Sequence, residues 1–355
     1  MVKSLFVISD GMGRGKTLLS LGIALKFKEE GKKVGFFKPV ATETKIDKGT
    51  PIDEDVELMK KVLSLKVAIE DLAPVVIGPE FLEEFSPQSK DDIEKKLDLA
   101  FKKVSKKVDI LIIEGGQTPN VLSFKGLSSI ALAKKFHSKL LIVTKGDSDC
   151  VVDSVIHYKQ VADCEGCDIL GCVLNSVPKR FMERASLYAT PTLEKNGVDI
   201  LGVIPEDASL VSPTVAEVSE VIGGEVLEGE DQLNKLVKGT YIGAASIGGA
   251  QQYYHDMRDK ALITGGDRSD MAVAGIEAGI SVLILTANLY PSHGVLTVAS
   301  KKGVPIILVP YDTFTTVKML DAVIGRVKPG DKKKIGLCEQ NITKFVDWKR
   351  LLNKL

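Results

Sequence analysis

The sequence of 355 residues has few cysteines, few aromatic residues and no excess of charge of either sign. Its five cysteines, an odd number in a long chain, argue against a disulfide framework. Aromatic residues make up 6%, and 47 basic residues balance 47 acidic ones, so we expect neither a nucleic-acid partner nor attraction to an anionic membrane. Apolar runs stay well short of the roughly 18 residues of a membrane span, and the sequence begins like a strand rather than a signal peptide. We therefore expect a soluble, cytoplasmic protein of about two domains.

Histidine and cysteine give little sign of metal or nucleophilic chemistry. The four histidines are scattered, and the chain has no Gly-x-Ser-x-Gly sequence. Cys164 and Cys167 form a single C-x-x-C pair with Cys172 nearby. Zinc binding or redox chemistry at this pair stays open, but small buried or loop thiols are favoured, because no second pair or histidine cluster accompanies it.

A glycine-rich stretch near the start of the sequence organises the chain. The apolar run Leu5 to Ile8 predicts a buried strand, and the periodic apolar residues after Thr17 predict a helix that ends near Gly31. Between them lies Ser-Asp-Gly-Met-Gly-Arg-Gly-Lys-Thr, residues 9–17. A strand, a glycine-rich turn and Gly-Lys-Thr at the start of a helix are typical of a phosphate-binding loop (P-loop). The alternative, a glycine-rich turn with a solvated lysine, fits this setting less well.

The loop predicts a site for ATP and Mg²⁺. Backbone amides would face the phosphates, Lys16 would reach the outer ones, and the hydroxyl of Thr17 would ligate Mg²⁺. Asn175 and Pro205 end or follow later strands and could border a purine, although turn-forming roles are equally expected there. The residues predicted to bind the nucleotide are Gly11, Gly13, Arg14, Gly15, Lys16, Thr17, Leu18, Asn175 and Pro205.

Lys38 and Thr42 follow a second short apolar strand, which starts at Val34. In a parallel α/β sheet, ligands bind beyond the carboxyl ends of the strands, so both side chains should lie beside the loop. A strand-end lysine can also be merely solvated; its position near Lys16 favours a functional role. We therefore assign Lys16, Lys38 and Thr42 to catalysis.

Two acidic residues are candidates for holding the metal with Thr17. Asp55 belongs to an acidic triplet, residues 53–55, at the start of a predicted helix, where acids also serve simply to complement the helix dipole. Glu114 ends the buried strand 109–113 and is followed by two glycines. A buried strand seldom ends in an acid without a partner for it. We predict that Thr17, Asp55 and Glu114 hold Mg²⁺, which takes one or two carboxylates and keeps several waters.

Short apolar strands alternate with helical segments along the chain, which predicts an α/β fold with a parallel, doubly wound sheet, followed by a smaller α/β domain. The second series contains the turn 264–270, which also joins a strand to a helix and includes Arg268. An anion or nucleotide sensor and a structural turn are about equally expected there. The expected parts are a P-loop ATP-binding domain at 1–210, a connecting segment at 211–238, the smaller domain at 239–325, and a basic loop with an amphipathic helix at 326–355.

These landmarks resemble the ATP-binding fold of dethiobiotin synthetases and, more closely, the N-terminal half of long bacterial phosphotransacetylases, where such a domain precedes a DRTGG domain. The resemblance implies that Lys16 and Thr17 bind phosphate and Mg²⁺, that Asp55 and Glu114 are linked to the metal, and that Lys38 and Thr42 hold a substrate. It is carried by residues 9–17, 38–42, Asp55, 114–116, 201–205, 264–268 and 309–313.

Two departures from the synthetases argue against biotin-pathway chemistry. Met12 and Gly13 stand where those enzymes have a Thr-Glu pair, and the segment after Glu114 is shortened and altered to Gly-Gly-Gln. The catalytic domain of the phosphotransacetylases is not expected within these 355 residues.

Two hypotheses of function follow. In the first, the chain is a Mg²⁺-dependent ATPase or ligase-type enzyme that passes a phosphoryl group to a small anionic acceptor, resembling a carboxylate or a carbamate. In the second, it is a non-catalytic, nucleotide-sensing regulatory module linked to acetyl-CoA and acetyl phosphate metabolism. The synthetase resemblance also implies a homodimer.

Overall fold

The computed structural model describes residues 2–42, 44–47, 50–78, 80–243, 254–321 and 327–355. The chain forms two compact units: the first contains residues 1–206 together with 327–355, and the second contains residues 207–326. The end of the chain therefore belongs to the same unit as the glycine-rich loop. The predicted boundary between the smaller domain and the end of the chain, at residues 325 and 326, lies outside the described residues.

The first unit is built on a six-stranded parallel sheet. Its strand order is β10-β9-β8-β1-β7-β2, and every pairing in it is parallel. All of β7 and nearly all of β1 are buried, as expected for strands covered on both faces. This confirms the predicted parallel, doubly wound α/β fold. Two separate pairs, β3 with β6 and β4 with β5, lie outside this sheet. The strands of the first unit are β1 (Lys3–Ser9), β2 (Val34–Phe37), β3 (Val40–Ala41), β4 (Thr44–Asp47), β5 (Thr50–Asp53), β6 (Val75–Val76), β7 (Ile110–Glu114), β8 (Lys139–Lys145), β9 (Ile169–Val177) and β10 (Ile200–Pro205).

Helices connect these strands. Several begin with side-chain caps: Asp53 accepts hydrogen bonds from two amides of α2, and Ser89 caps α5. In the part of the chain that the structure describes, we find no helix with the length and apolar character to span a membrane. The helices are α1 (Lys16–Glu29), α2 (Glu54–Leu63), α3 (Ile69–Leu72), α4 (Phe81–Phe85), α5 (Lys90–Val104), α6 (Ser129–Lys135), α7 (Cys150–Glu165), α8 (Met182–Arg184) and α9 (Thr190–Lys195).

The second unit has a five-stranded sheet of order β11-β15-β14-β13-β12, in which β11 alone pairs antiparallel within the described strands. Two apolar clusters form its core. Its strands are β11 (Glu225–Glu228), β12 (Thr240–Ile242), β13 (Ala261–Gly265), β14 (Val282–Thr286) and β15 (Ile306–Leu308). Its helices are α10 (Ala208–Val211), α11 (Val215–Ile222), α12 (Tyr254–Met257), α13 (Ser269–Ala278), α14 (His293–Lys302) and α15 (Thr313–Asp321).

Residues 211–238, expected to be a connecting segment, are part of the second unit. Thr214 and Glu217 form a capping box that starts α11. The apolar face of α11 packs into the core of the unit, and β11 extends the sheet beside β15. The sequence pattern missed β11 because a short edge strand lacks the apolar run of a buried one.

The end of the chain, residues 327–355, is called the tail below. It contains α16 (Lys332–Phe345) and α17 (Trp348–Lys354). The lysines at 332–334, expected to form a loop, instead begin α16, because the Asp331 side chain accepts a hydrogen bond from the amide of Lys334 and caps the helix. The amphipathic stretch is therefore two helices, separated by extended backbone at Val346.

Candidate functional site

The glycine-rich loop joins β1 to α1 with two residues in the left-handed region, Gly13 at φ 65° and Gly15 at φ 85°. Gly15 is also the N-cap of α1, so the open amides of the helix start point into the loop. Asn175 supports the loop: its Nδ2 donates to the backbone oxygen of Arg14 at 2.9 Å. A Cβ added at Gly15 would lie 2.2 Å from that Nδ2. Glycine is therefore required at this position for two reasons, the backbone angle and the space.

The side chain of Lys16 extends from the start of α1 back towards the end of β1. Its Nζ donates to Ser9 Oγ at 2.8 Å and to the backbone oxygen of Gln117 at 3.4 Å. The Ser9 hydroxyl in turn donates to the backbone oxygen of Gly11 at 2.7 Å. The ammonium group is thus held at the concave side of the turn, where a phosphate chain would meet it.

Thr17 and Glu114 meet at the carboxyl ends of the neighbouring strands β1 and β7. Thr17 Oγ1 donates to Glu114 Oε1 at 3.1 Å. The other oxygen, Glu114 Oε2, is buried and has no hydrogen-bond partner among the described residues. A hydroxyl beside a carboxylate with an unpartnered buried oxygen is a donor set that suits Mg²⁺. These residues therefore fit the predicted metal.

Lys38 lies at the centre of three carboxylates. Its Nζ is 2.8 Å from Asp53 Oδ2, 3.0 Å from Asp55 Oδ2 and 3.3 Å from Glu114 Oε1. Lys38, Asp53 and Glu114 are buried, whereas Asp55 is partly exposed. The structure thus brings together Lys38, Asp55, Glu114 and Thr17, as the sequence predicts, and adds Asp53. Within the described ranges, no group of three or more histidine, cysteine or acidic side chains forms a preformed metal cluster.

Burial controls the protonation of this group. It raises the pKa of Glu114 to about 7, with Asp55 adding to the rise and Lys38 opposing it. Burial also raises the pKa of Asp53, again against the effect of Lys38. For Lys38, burial lowers the pKa, but Glu114, Asp55 and Asp53 outweigh it and hold the pKa well above its ordinary value. The lysine therefore stays charged, and one ammonium faces three carboxyl groups.

Arg14 is paired with acids on both sides of the loop. Its guanidinium lies 3.2 Å from Asp10 Oδ1 and 3.6 Å from Asp147 Oδ2. Asp147 follows β8, the strand next to β1 in the sheet. Arg14 thus connects the loop to the neighbouring strand end and lies beside the place predicted for the phosphates.

The other predicted site residues lie at different distances from the loop. Thr42 is half-buried. It lies close to Gly116, since a Cβ added at Gly116 would lie 3.5 Å from the Thr42 methyl group. Gly11 is in the loop itself, and Leu18 is in the first turn of α1. Pro205 ends β10, which two strands, β9 and β8, separate from β1. The nucleotide role of Pro205 stays a prediction.

Sequence reasoning missed three contributors to the site. Asp53 caps α2 and binds Lys38. Its signal in the sequence is an acid at the start of a predicted helix, a position that the helix dipole also favours, and only Asp55 of the triplet is predicted for the site. Gln117 contributes a backbone oxygen, which no side-chain pattern reveals. Asp147 follows a buried strand in the same way as Glu114, so strand-end reasoning would have found it.

The second unit's turn joins β13 to α13. A Cβ added at Gly266 would lie 1.7 Å from the backbone oxygen of Leu289, so this glycine is required for close backbone packing. Arg268 is the N-cap residue of α13 and its Nε lies 3.6 Å from Asp270 Oδ1. The packing accounts for the glycines, while a sensory role for the turn stays a prediction.

All five cysteines are free thiols. Cys164 is exposed and Cys167 is buried, so the two sulfur atoms of the C-x-x-C pair face different environments. Cys167 Sγ donates to the backbone oxygen of Ile130 at 3.4 Å.

Two family models match the chain. A model described as "AAA domain" matches residues 3–214, and one described as "DRTGG domain" matches residues 217–323. Phosphate acetyltransferase from Nitratidesulfovibrio vulgaris is 24% identical over 100% of this chain and 52% of its own length. ATP-dependent dethiobiotin synthetase from Clostridium perfringens is 24% identical over 63% of this chain and 100% of its own. The chain thus spans about half the length of the phosphate acetyltransferases it matches.

Solved structures give weaker likenesses. MinD from Pyrococcus horikoshii with Mg-ADP has 19% identity and a TM-score of 0.38, covering 59% of this chain and 84% of that one. The CBS and DRTGG domains of Clostridium perfringens pyrophosphatase, complexed with diadenosine tetraphosphate, have 20% identity and a TM-score of 0.29, covering 32% and 50%. The sequence matches and the loop geometry carry the assignment. The chain belongs to the AAA domain family, with a dethiobiotin-synthetase-like P-loop fold of the kind that supports ATP binding, and carries a DRTGG domain after it.

Proposed function

We propose that the first unit binds Mg·ATP on the glycine-rich loop and passes the γ-phosphoryl group to a small anionic acceptor that resembles a carboxylate or a carbamate. One arrangement supports this most: the Lys16 ammonium and the Thr17–Glu114 pair both lie at the amino end of α1, around a loop with two left-handed glycines. Amides, one ammonium and a hydroxyl–carboxylate pair are the groups that hold a triphosphate and its cation.

Each side chain has a defined part in this proposal. Lys16 and Arg14 offset the negative charge of the β- and γ-phosphates, so Arg14 would exchange one of its acidic partners for a phosphate. Thr17, Asp55 and Glu114 hold Mg²⁺, which when bound neutralises charge on the phosphate oxygens. Lys38 and Thr42 hold the acceptor. Because catalysis of phosphoryl transfer depends mostly on positioning and electrostatics, these residues suffice without a covalent intermediate on the protein.

The acceptor's charge follows from Lys38. Its ammonium contacts carboxylate oxygens on three sides, so its surroundings already select for carboxyl groups. An anionic acceptor would replace Asp55, the most exposed of the three, as a partner of Lys38. Thr42 lies near Gly116, two residues after Glu114, so its hydroxyl could contact an acceptor held by Lys38.

Calorimetry and phosphate release test the proposal together. We expect Mg·ATP to bind the wild type with measurable heat and Lys16→Ala to lose that heat while keeping its fold. Lys103→Ala is the matched control, since Lys103 is exposed and bonds Asp71 away from the loop. A panel of small carboxylates should then contain one that stimulates phosphate release in the wild type alone. Binding without release over the whole panel would contradict phosphoryl transfer, and absence of heat would contradict ATP binding.

A second candidate function is a nucleotide-sensing module linked to acetyl-CoA and acetyl phosphate metabolism. It is favoured by the match to about half the length of the phosphate acetyltransferases, across both units of this chain. It predicts nucleotide binding without turnover. Thermal shifts with nucleotides on Lys16→Ala and Arg268→Ala would show which unit responds.

Assembly and location complete the proposal. We expect a cytoplasmic homodimer, as the synthetase resemblance implies. Light scattering of the purified chain gives its mass in solution, and a mass equal to one chain of 38.3 kDa would contradict the dimer.

A further inference from the structure

The loop helix α1 is covered on every side. Six consecutive residues, from Leu19 to Ala24, are all buried, and six residues exceed one turn of about 3.6. A helix buried all round needs a neighbour on each face. The central sheet packs on one side of α1, and the tail helix α16 packs on another.

Gly22 is the point of closest approach between α1 and α16. A Cβ added there would lie 2.5 Å from the backbone oxygen of Cys338 and 2.6 Å from Cγ1 of Ile342. Cys338 and Ile342 are both buried. The backbone of α1 at Gly22 thus contacts both the backbone and a side chain of α16, with no room for one methyl group, so the position of α1 is fixed by the tail as well as by the sheet.

The tail is fixed in its turn to the edge of the sheet. Gly202 of β10 forms an antiparallel bridge with Val346, and the amide of Asp347 donates to the backbone oxygen of Leu201 at 2.7 Å. A Cβ at Gly202 would lie 2.5 Å from the backbone oxygen of Phe345. The linker between α16 and α17 therefore continues the sheet beyond its last strand.

The last helix adds further anchors. Lys26, on α1, places its Nζ 4.7 Å from the centre of the Trp348 ring. Lys354 pairs with Asp199 and donates to the backbone oxygen of Leu170 at 3.1 Å. The tail thus holds α1 and the edge of the sheet at the same time.

The position of α1 matters because its first residues form the nucleotide site. Gly22 is six residues after Lys16, or about 9 Å along a helix that rises 1.5 Å per residue. A helix moves as a rigid rod over that length, so a displacement at Gly22 also displaces Lys16 and Thr17. The hydrogen bonds of Lys16 to Ser9 and of Thr17 to Glu114 depend on that placement.

We infer that the tail is a positioning element of the nucleotide site, so that docking of residues 327–355 and binding of Mg-nucleotide at the loop strengthen each other. This inference rests on the proposal that the loop binds Mg·ATP. Because linkage is reciprocal, a change that loosens the docking of the tail lowers the affinity for the nucleotide. Binding of the nucleotide in turn strengthens the docking of the tail by the same factor. The family model of the first unit ends at residue 214, so it does not include this element.

Two glycine substitutions in the full chain test the effect on affinity. Gly22→Ala forces α1 and α16 apart, whereas Gly336→Ala, on α16, adds a methyl group that meets no atom within 4 Å beyond its own chain neighbours and helix backbone. We expect Gly22→Ala to weaken Mg·ADP binding by about 5-fold or more, the lower end of common coupling factors. Gly336→Ala should bind like the wild type. Equal affinities for all three proteins would overturn the inference.

Hydrogen exchange on the wild type gives a test that needs no variant. Mg·ADP should slow exchange of the α16 amides and leave α14, in the second unit, unchanged. Binding with no change in α16 would overturn the inference while leaving the loop assignment intact. Absence of Mg·ADP binding to the wild type would overturn both the loop assignment and the inference.

Discussion

Nζ of Lys38 lies 3.3 Å from Oε1 of Glu114, and both side chains are almost completely buried. Lys38 directly follows β2, and Glu114 ends the neighbouring strand β7. Each side chain stabilises the buried charge of the other. Asp53 and Asp55 complete the partners of the lysine. The group holds the predicted metal ligands in place through one ammonium.

Replacement of Lys38 by methionine leaves three carboxyl groups without their cation. We expect Lys38→Met to lower the free energy of unfolding by about 3–5 kcal/mol, the usual loss when one partner of a buried pair is removed. Mg²⁺ should recover part of this loss, since it supplies the missing positive charge. Urea unfolding with and without Mg²⁺ measures both effects.

Lys103→Met is the control for that variant. In the wild type, the Lys103 ammonium donates to Asp71 at 2.7 Å on an exposed surface. We therefore expect little change in the free energy of unfolding when it is removed. If both substitutions had equal effects, the buried group would not be the source of the stability.

Gly15→Ala should abolish nucleotide binding. The new methyl group would overlap the amide of Asn175, and the left-handed backbone at φ 85° disfavours any side chain. Gly31→Ala separates these two causes, because Gly31 has φ 79° but open space around it. We expect Gly31→Ala to lose about 1–2 kcal/mol of stability and to keep its affinity for Mg·ATP. Calorimetry on both variants checks this, and loss of binding in both would contradict a specific loop effect.

The raised pKa of Glu114 predicts how stability depends on pH without Mg²⁺. Burial lifts this pKa from 4.5 to about 7, so the folded state binds the proton more tightly than the unfolded chain. The contribution to stability is then present at low pH and is lost as pH rises from about 4.5 to about 7. Glu114→Gln should reduce this decline and leave the smaller part due to Asp53, whose pKa burial also raises.

Asp92→Asn is the control for the pH experiment: the hydrogen bond from exposed Ser89 lowers the pKa of Asp92, so the stability that it contributes is lost only at pH values below the range of the experiment. Unfolding in urea between about pH 5 and about pH 8 gives the slopes. A slope in Glu114→Gln as steep as in the wild type would assign the decline to another group.

Thiol labelling tests the cysteine environments. Cys150 and Cys164 are exposed and should react quickly with a disulfide reagent, whereas Cys167, Cys172 and Cys338 should react only on unfolding. Burial also raises the pKa of Cys338 to about 12, which keeps its thiol protonated. Fewer than five thiols in the unfolded protein would reveal a disulfide, and fast reaction of Cys338 would contradict close packing of the tail on α1.

The local elements of the first unit could be predicted from the amino-acid sequence. The apolar runs that became β1, β2, β7, β8, β9 and β10 were readable because a buried parallel strand must be apolar on both faces. The loop could be recognised because a phosphate-binding turn needs glycines in its backbone, followed by Lys16 and Thr17 at the start of the helix. The same rule placed Lys38 and Glu114 at one edge of the sheet.

The contacts between distant parts of the chain became visible in the folded structure. Three contacts illustrate this: Asp53 with Lys38, Asn175 with the loop backbone, and Cys338 with Gly22. The last two join residues far apart in sequence, and Asp53 already had a local role at the start of a helix. The sequence predicts a basic loop and an amphipathic helix at 326–355, but it does not show that this part of the chain covers α1. A helix pattern shows that a face must be buried, while the partner that buries it depends on the packing of the whole unit.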